Sequence, residues 1–147
     1  MSRPIYEHRQ FGKLWPLAPV YVIANMVVLS VAGKDMAVVG FISTIGATVL
    51  LVIVVLAFSR LTVTVEHEEV RIAFGLGWPR KRFARAEIVS HQPVRNSWLN
   101  GWGIRWIKGG SMWNVWGLDA VELELTTGKK FRIGTDEPKR LGAALDE

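Results

Sequence analysis

The residues of this chain whose types and spacing bear on chemistry are three histidines, two serines near glycines and a Glu-x-Glu pair. They would serve metal binding, nucleophilic attack or paired-carboxylate acid–base work, and their spacing argues against each. His8, His67 and His91 are far apart and in no helical or hairpin ligand spacing, so each is expected as a surface or hydrogen-bonded side chain. Neither Ser97 nor Ser111 stands in a G-x-S-x-G elbow. Gly101-x-Gly103 lacks the strand-to-helix setting of a phosphate loop. Glu122 and Glu124 lie opposite Lys130 and Arg132 in a predicted hairpin, an arrangement for cross-strand ion pairs. The absence of cysteine excludes disulfides, thiolate metal sites, Fe–S clusters and cysteine nucleophiles. No catalytic residue, metal or cofactor is expected, and no turnover.

Contact chemistry is better represented. Residues 79–108 hold Arg80, Lys81, Arg82, Arg85, Arg95, Arg105 and Lys108 against Glu87 alone, which accounts for essentially the whole formal net charge of +5. Such a section attracts anionic lipid headgroups, or forms a solvated strand face that keeps positive charge on one side of a membrane. Trp98, Trp102, Trp106, Trp113 and Trp116 crowd in beside it, interleaved with glycines. They fit an interfacial flap with indoles at headgroup level, a protein contact anchored by Trp and Arg, or the core of the domain itself. The candidate lipid or partner contacts are therefore Arg80, Lys81, Arg82, Arg85, Trp98, Trp102, Arg105, Trp106 and Lys108.

The elements that must position these residues begin with two apolar runs, residues 14–32 and 37–58. The second carries no charge over a length that spans a bilayer as a helix. Only Gly33, Lys34, Asp35 and Met36 separate the runs, so a membrane hairpin is expected over 14–59. The first run has a basic start but no small-residue cleavage site followed by a polar segment, so it is expected to stay attached. Pro16 and Pro19 fall near its beginning, where proline is tolerated. Asn25 is expected to hydrogen-bond the neighbouring helix, and Gly40, Ser43, Gly46 and Ala47 to let the helices approach. Positive residues flank the pair on one side, placing segment 1–13 and domain 60–147 in the cytoplasm with the turn outside.

From Leu61 the period becomes two. Leu61, Val63 and Val65 alternate with polar residues, then Val70, Ile72 and Phe74 do the same, which predicts strands joined by a turn at His67 and Glu68. Glycine and proline at Gly75, Gly77 and Pro79 mark the next break. Short strands are predicted over 80–84 and 86–92, and a hairpin over 119–126 and 130–134 closed by Thr127 and Gly128. The end, TDEPKRLGAALDE, predicts one short helix capped by Thr135 or Asp136, with Leu141, Ala144 and Leu145 on its apolar face. So short a helix must pack on the sheet to persist.

Two spans, a strand-rich tail and a terminal helix, with GWGIRWIKGGSMWNVWGLDAVELELTTGKKFRIGTDEPKRLGAAL at residues 101–145, resemble the bacterial pleckstrin-homology-like (PH-like) membrane proteins. IGTDEP at 133–138 is the most distinctive part. The resemblance implies an antiparallel barrel or bent sheet of about seven strands capped by the C-terminal helix, and it implies no activity. Eukaryotic pleckstrin-homology domains often bind phosphoinositides through basic residues in the first hairpin loop. Here that loop reads Glu66, His67, Glu68, Glu69. The function expected is a non-enzymatic binding or scaffold module on the cytoplasmic face of a bacterial inner membrane, multi-pass with both termini inside. The alternative is a small accessory subunit of a transporter or other membrane complex assembled through the hairpin. Membrane lipids, a protein of unspecified identity and a second copy of the chain are the expected partners. Nucleic acid is not expected.

Overall fold

Alternation of period two becomes two packed sheets in the computed structural model, which describes residues 4–13, 17–31 and 37–147. Among the described residues there are nine strands and three helices. The first sheet is an antiparallel meander of β1 (Tyr6–Phe11), β2 (Arg60–Val65), β3 (Glu69–Phe74) and β4 (Arg80–Ala84), in that order. The second holds β5 (Ile88–Arg95), β6 (Gly103–Ile107), β7 (Gly110–Asn114), β8 (Asp119–Leu125) and β9 (Lys130–Gly134), in spatial order β5-β8-β9-β7-β6. Pro93 is accommodated because β5 is an edge strand, where a missing N–H breaks no central ladder.

The inward faces are those the alternation marks. Leu61, Val63, Val65, Val70, Ile72 and Phe74 are buried from the first sheet, and Val121, Leu123, Phe131 and Ile133 from the second. Phe83 meets Phe131 at 4.8 Å and Phe74 meets Trp113 at 5.2 Å between ring centres, joining the sheets. Helix α3 (Pro138–Asp146) covers this core with Leu141, Ala144 and Leu145, as its periodicity requires. Pro138 stands at its first turn, and the Thr135 hydroxyl accepts the Glu137 N–H at 3.1 Å.

Three features depart from expectation. The sheets do not close into one barrel, and β7 pairs with β9 in parallel, so the fold is not wholly antiparallel. Gly110 permits that pairing, since a Cβ there would overlap the Lys130 carbonyl. The segment 1–13, expected to stand apart from the domain 60–147, supplies β1, which pairs with β2 from Tyr6 opposite Val65 to Phe11 opposite Arg60. Its alternation is hidden because His8 and Gln10 share the inward face with Tyr6, and Gln10, though polar, is buried.

Between β1 and β2 the chain makes α1 (Leu17–Val31) and α2 (Ala37–Phe58). Residues 14–16 and 32–36, with Pro16, the expected turn and the ends of the first span, lie outside the described residues. Among the described residues one helix, Val38–Phe58, is long and apolar enough to cross a membrane. The 15 residues of α1 rise about 22 Å, less than a hydrocarbon core of about 30 Å. The helices touch where the Thr44 hydroxyl lies 3.3 Å from Asn25 Oδ1 and the Tyr21 hydroxyl donates to the Thr44 carbonyl at 3.4 Å. Asn25 thus bonds across the pair. Up to Val55 the half-buried positions of α2 are Gly40, Thr44, Thr48, Leu51 and Val55, a spacing of three and four, and Ala57 and Phe58 are half-buried at its end. Ser43, Gly46 and Ala47 lie off that stripe, and a Cβ on Gly46 would meet nothing within 4 Å.

Candidate functional site

Strand register fixes which loops share an end. Leu61, one residue after the start of β2, pairs with Phe74 at the end of β3, and β4 sets out again from Arg80, so the turn 75–79 lies beside the end of α2. A Cβ on Gly75 would press on the Leu56 and Ala57 carbonyls, and Arg60 Nε donates to the Gly75 carbonyl at 2.9 Å. On the second sheet Arg95 pairs with Asp119 and Gly103 with Asn114. Gln10 Nε2 donates to the Trp116 carbonyl at 2.9 Å, tying that end to β1. The helix end of the sheets therefore gathers residues 75–79, 96–102 and 115–118.

Large apolar side chains stand outward there. Trp78 is 75% exposed, Trp98 76% and Leu99 75%, and Leu76 also faces out, so none of these belongs to the core. Ser97 caps the 3-10 turn Trp98–Asn100, which presents Trp98 and Leu99 on the surface. Trp102 stacks flat on Trp116 at 5.0 Å, and Lys13 Nζ lies over the Trp116 ring at 5.9 Å. Val54 and Phe58 of α2 face Trp102, Ile104, Asn114 and Val115 across an apolar groove of about 550 Å³, with Arg105 in its wall. Arg105 Nε donates to the Trp102 carbonyl at 3.1 Å, which folds the guanidinium back over Gly101.

This geometry divides the nine contact residues. Arg80, Trp98, Trp102 and Arg105 lie at the helix end. Arg82 lies further along β4, and Trp106 and Lys108 toward the β6–β7 turn, away from the helices. Lys81 Nζ sits 4.6 Å above Phe131 and 5.3 Å above Phe83, and burial, with Lys129 nearby, pushes its pKa down. Arg85 belongs to α3, where Nη2 donates to the Leu145 carbonyl at 2.6 Å and Nη1 to the Ala144 carbonyl at 3.4 Å, completing the helix C-terminus. The Trp-rich segment is likewise mixed, for Trp113 is buried in the core, Trp116 half-buried, and Trp98, Trp102 and Trp106 exposed. Leu76, Trp78 and Leu99, which the sequence reading passed over, join the helix end. Their signal was a large apolar residue beside glycine, proline or asparagine in a turn, where no core position is available.

The chemically suggestive residues are occupied structurally. His8 Nε2 lies 2.6 Å from Asp136 Oδ1, and His91 Nε2 2.9 Å from Asp146 Oδ1, so one histidine holds each end of α3. Ser90 and His91 alternate across β5, and Ser90 bonds Glu124 at 3.1 Å rather than its neighbour. Glu122, almost fully buried, accepts from Lys130 Nζ at 2.9 Å and from Arg132 Nε at 2.6 Å. Burial alone would raise its pKa, but these donors and their charges hold it below the ordinary value. Arg132 also reaches Asn96 Oδ1 at 3.1 Å. The Tyr6 hydroxyl is pushed up to about 12 by burial and by Glu137. Among the described residues no group of three His, Asp or Glu is placed to hold a metal ion.

The class defined by these observations is a two-sheet, strand-rich domain closed by a C-terminal helix and carrying an apolar helix pair between its first two strands. Comparison of the chain with protein-family models, with curated proteins and with solved structures finds no match.

Proposed function

We propose that the chain is a membrane-anchored PH-like binding module, held by its helix pair on the cytoplasmic face of a bacterial inner membrane with both termini inside, and that it recruits or organises a partner there without turnover. One observation carries this reading, the pairing of Phe11 with Arg60. The excursion between them must leave and return at one point of one sheet, so if α2 crosses a bilayer the preceding segment crosses it too. Both helices expose apolar side chains, among them Ile23, Met26 and Val28 on α1 and Phe41, Ile42 and Leu50 on α2. An apolar surface of that extent in water demands a cover. Alkaline extraction of membranes containing the full chain tests the anchoring, and the reading fails if the wash releases the protein. Copurification in mild detergent tests the partner.

A second reading has its own observation. Ser43, Gly46 and Ala47 form an open small-residue face on α2 away from the α1 contact, which would admit another helix closely. On that reading the chain is an accessory subunit of a transporter or other membrane complex. Crosslinks from Ser43 or Gly46, without crosslinks from Trp102 or Arg105, favour it.

A further inference from the structure

We infer that the helix end of the sheets is a collar lying in the headgroup layer of an anionic bilayer, with the turns 75–79 and 96–102 reaching its interfacial zone. The inference rests on the membrane-anchored reading and adds to it an orientation and a lipid class. Three features converge on it. Leu76, Trp78, Trp98, Leu99, Trp102 and Ile104 are all exposed at this end, and it is a grouping of large exposed apolar side chains, not a single one, that marks a contact surface. Tryptophan combines an apolar ring with one N–H donor, which suits the headgroup zone better than either water or hydrocarbon.

Position is the second feature. The turn 75–79 touches the last carbonyls of α2, and the groove beside Trp102 and Ile104 is walled by Val54 and Phe58 of the same helix. Any bilayer crossed by α2 has its surface at this level, so the collar is continuous with the span.

Charge is the third. Lys13, Arg80, Arg95 and Arg105 are exposed at the helix end, and the acids of the adjoining strand ends and loops, among the described residues, are Asp119 at the start of β8 and Asp136 and Glu137 after β9, where Asp136 is bonded to His8. The loops at the other end carry Glu66, Glu68 and Glu87 beside their cations. Cations among indoles match lipid phosphates, and the far-end loops, with Arg85, Lys108 and Lys129 against those three acids, carry no such excess. A protein cover for the same apolar residues would not by itself call for this polarity along the strands.

Tryptophan quenching by phosphatidylglycerol brominated in its acyl chains tests the inference on the full chain in vesicles. Trp106 is an internal control, being 88% exposed but displaced along β6 from the helix end. In a chain whose Trp15, which lies in the first apolar run, is already replaced by Phe, changing Trp78, Trp98 and Trp102 together to Phe should remove most of the lipid-dependent quenching, and Trp106→Phe little. If Trp106→Phe removes as much as the triple change, or the triple change removes none, the collar does not meet lipid. A chain that resists alkaline extraction yet shows that result overturns this inference alone, whereas a chain released by the wash overturns the anchoring. Should the triple variant fail to fold, amide exchange of the unaltered chain in nanodiscs decides. Exchange over 75–79 and 96–102 should be slower in phosphatidylglycerol than in phosphatidylcholine discs, with no change over 66–68. Equal rates in the two lipids, or equal slowing at both ends, would overturn the inference.

Discussion

Phe11, the last residue of β1, and Arg60, the first of β2, are register partners across an antiparallel ladder. Everything in residues 12–59 is therefore an insertion into a hairpin. The sheet does not begin after the helices; it is interrupted by them. Backbone contact reinforces the junction, because the Gly12 N–H donates to the Ser59 carbonyl at 2.7 Å.

Removing the insertion should leave a folded domain. A chain with residues 12–59 replaced by Asn-Gly has the two-residue connection that suits the twist of paired strands. It is expected to be water-soluble with the dispersed amide spectrum of a folded sheet protein. Residues 60–147 alone, lacking β1 with its buried Tyr6 and Gln10, should melt at a lower temperature. Equal melting of the two would show that β1 adds nothing.

Glu122→Gln should destabilise the domain in a pH-dependent way. Hydrogen bonds to charged groups contribute about 1.5–3 kcal/mol, and Lys130, 42% exposed, is partly screened, so a loss of about 1–2 kcal/mol is expected. The carboxyl titrates below its ordinary value of 4.5 in the folded chain, so its contribution is complete above that value and is lost as pH falls through the lower, folded one. Denaturant melts of the two proteins should differ at pH 7 and converge in acid. A difference that grows on acidification would contradict the assignment.

Arg85→Ala is expected to loosen α3 and leave lipid contact untouched. Its guanidinium bonds the Ala144 and Leu145 carbonyls, and a cation at a helix C-terminus contributes about 0.3–1 kcal/mol. Faster amide exchange in 138–146, with unchanged affinity for anionic vesicles, is the expected result. Weaker vesicle binding without faster exchange would return Arg85 to the contact surface.

Leu141→Ala should cost about 2–5 kcal/mol, the range for truncating a fully buried leucine. That is a large share of the margin of a small domain, so thermal unfolding should shift markedly downward. An unchanged melting curve would show that α3 does not close the core.

Much of this architecture was legible in the sequence wherever apolar residues alternate. β2, β3, the β8–β9 hairpin and the buried face of α3 follow from that period, and Glu122 meets the Lys130 and Arg132 it was expected to meet. β1 escaped because its inward residues include His8 and Gln10, whose burial depends on partners far along the chain, such as Asp136 and the Trp116 carbonyl. The β6–β7 hairpin was obscured by glycines and tryptophans that fit core and surface equally. Long-range pairing also decides the fate of individual cations, since nothing local separates Arg80, exposed at the helix end, from Arg85, bound to a helix end sixty residues on.

Thiol accessibility tests the anchoring most directly, because the natural chain has no cysteine to interfere. With single cysteines at Lys34 and at Glu68 in separate chains, a membrane-impermeant maleimide should label position 34 in sealed right-side-out vesicles and position 68 only after they are opened. Labelling of both positions in sealed vesicles, or of neither until they are opened, would place the two on one side and contradict a paired crossing.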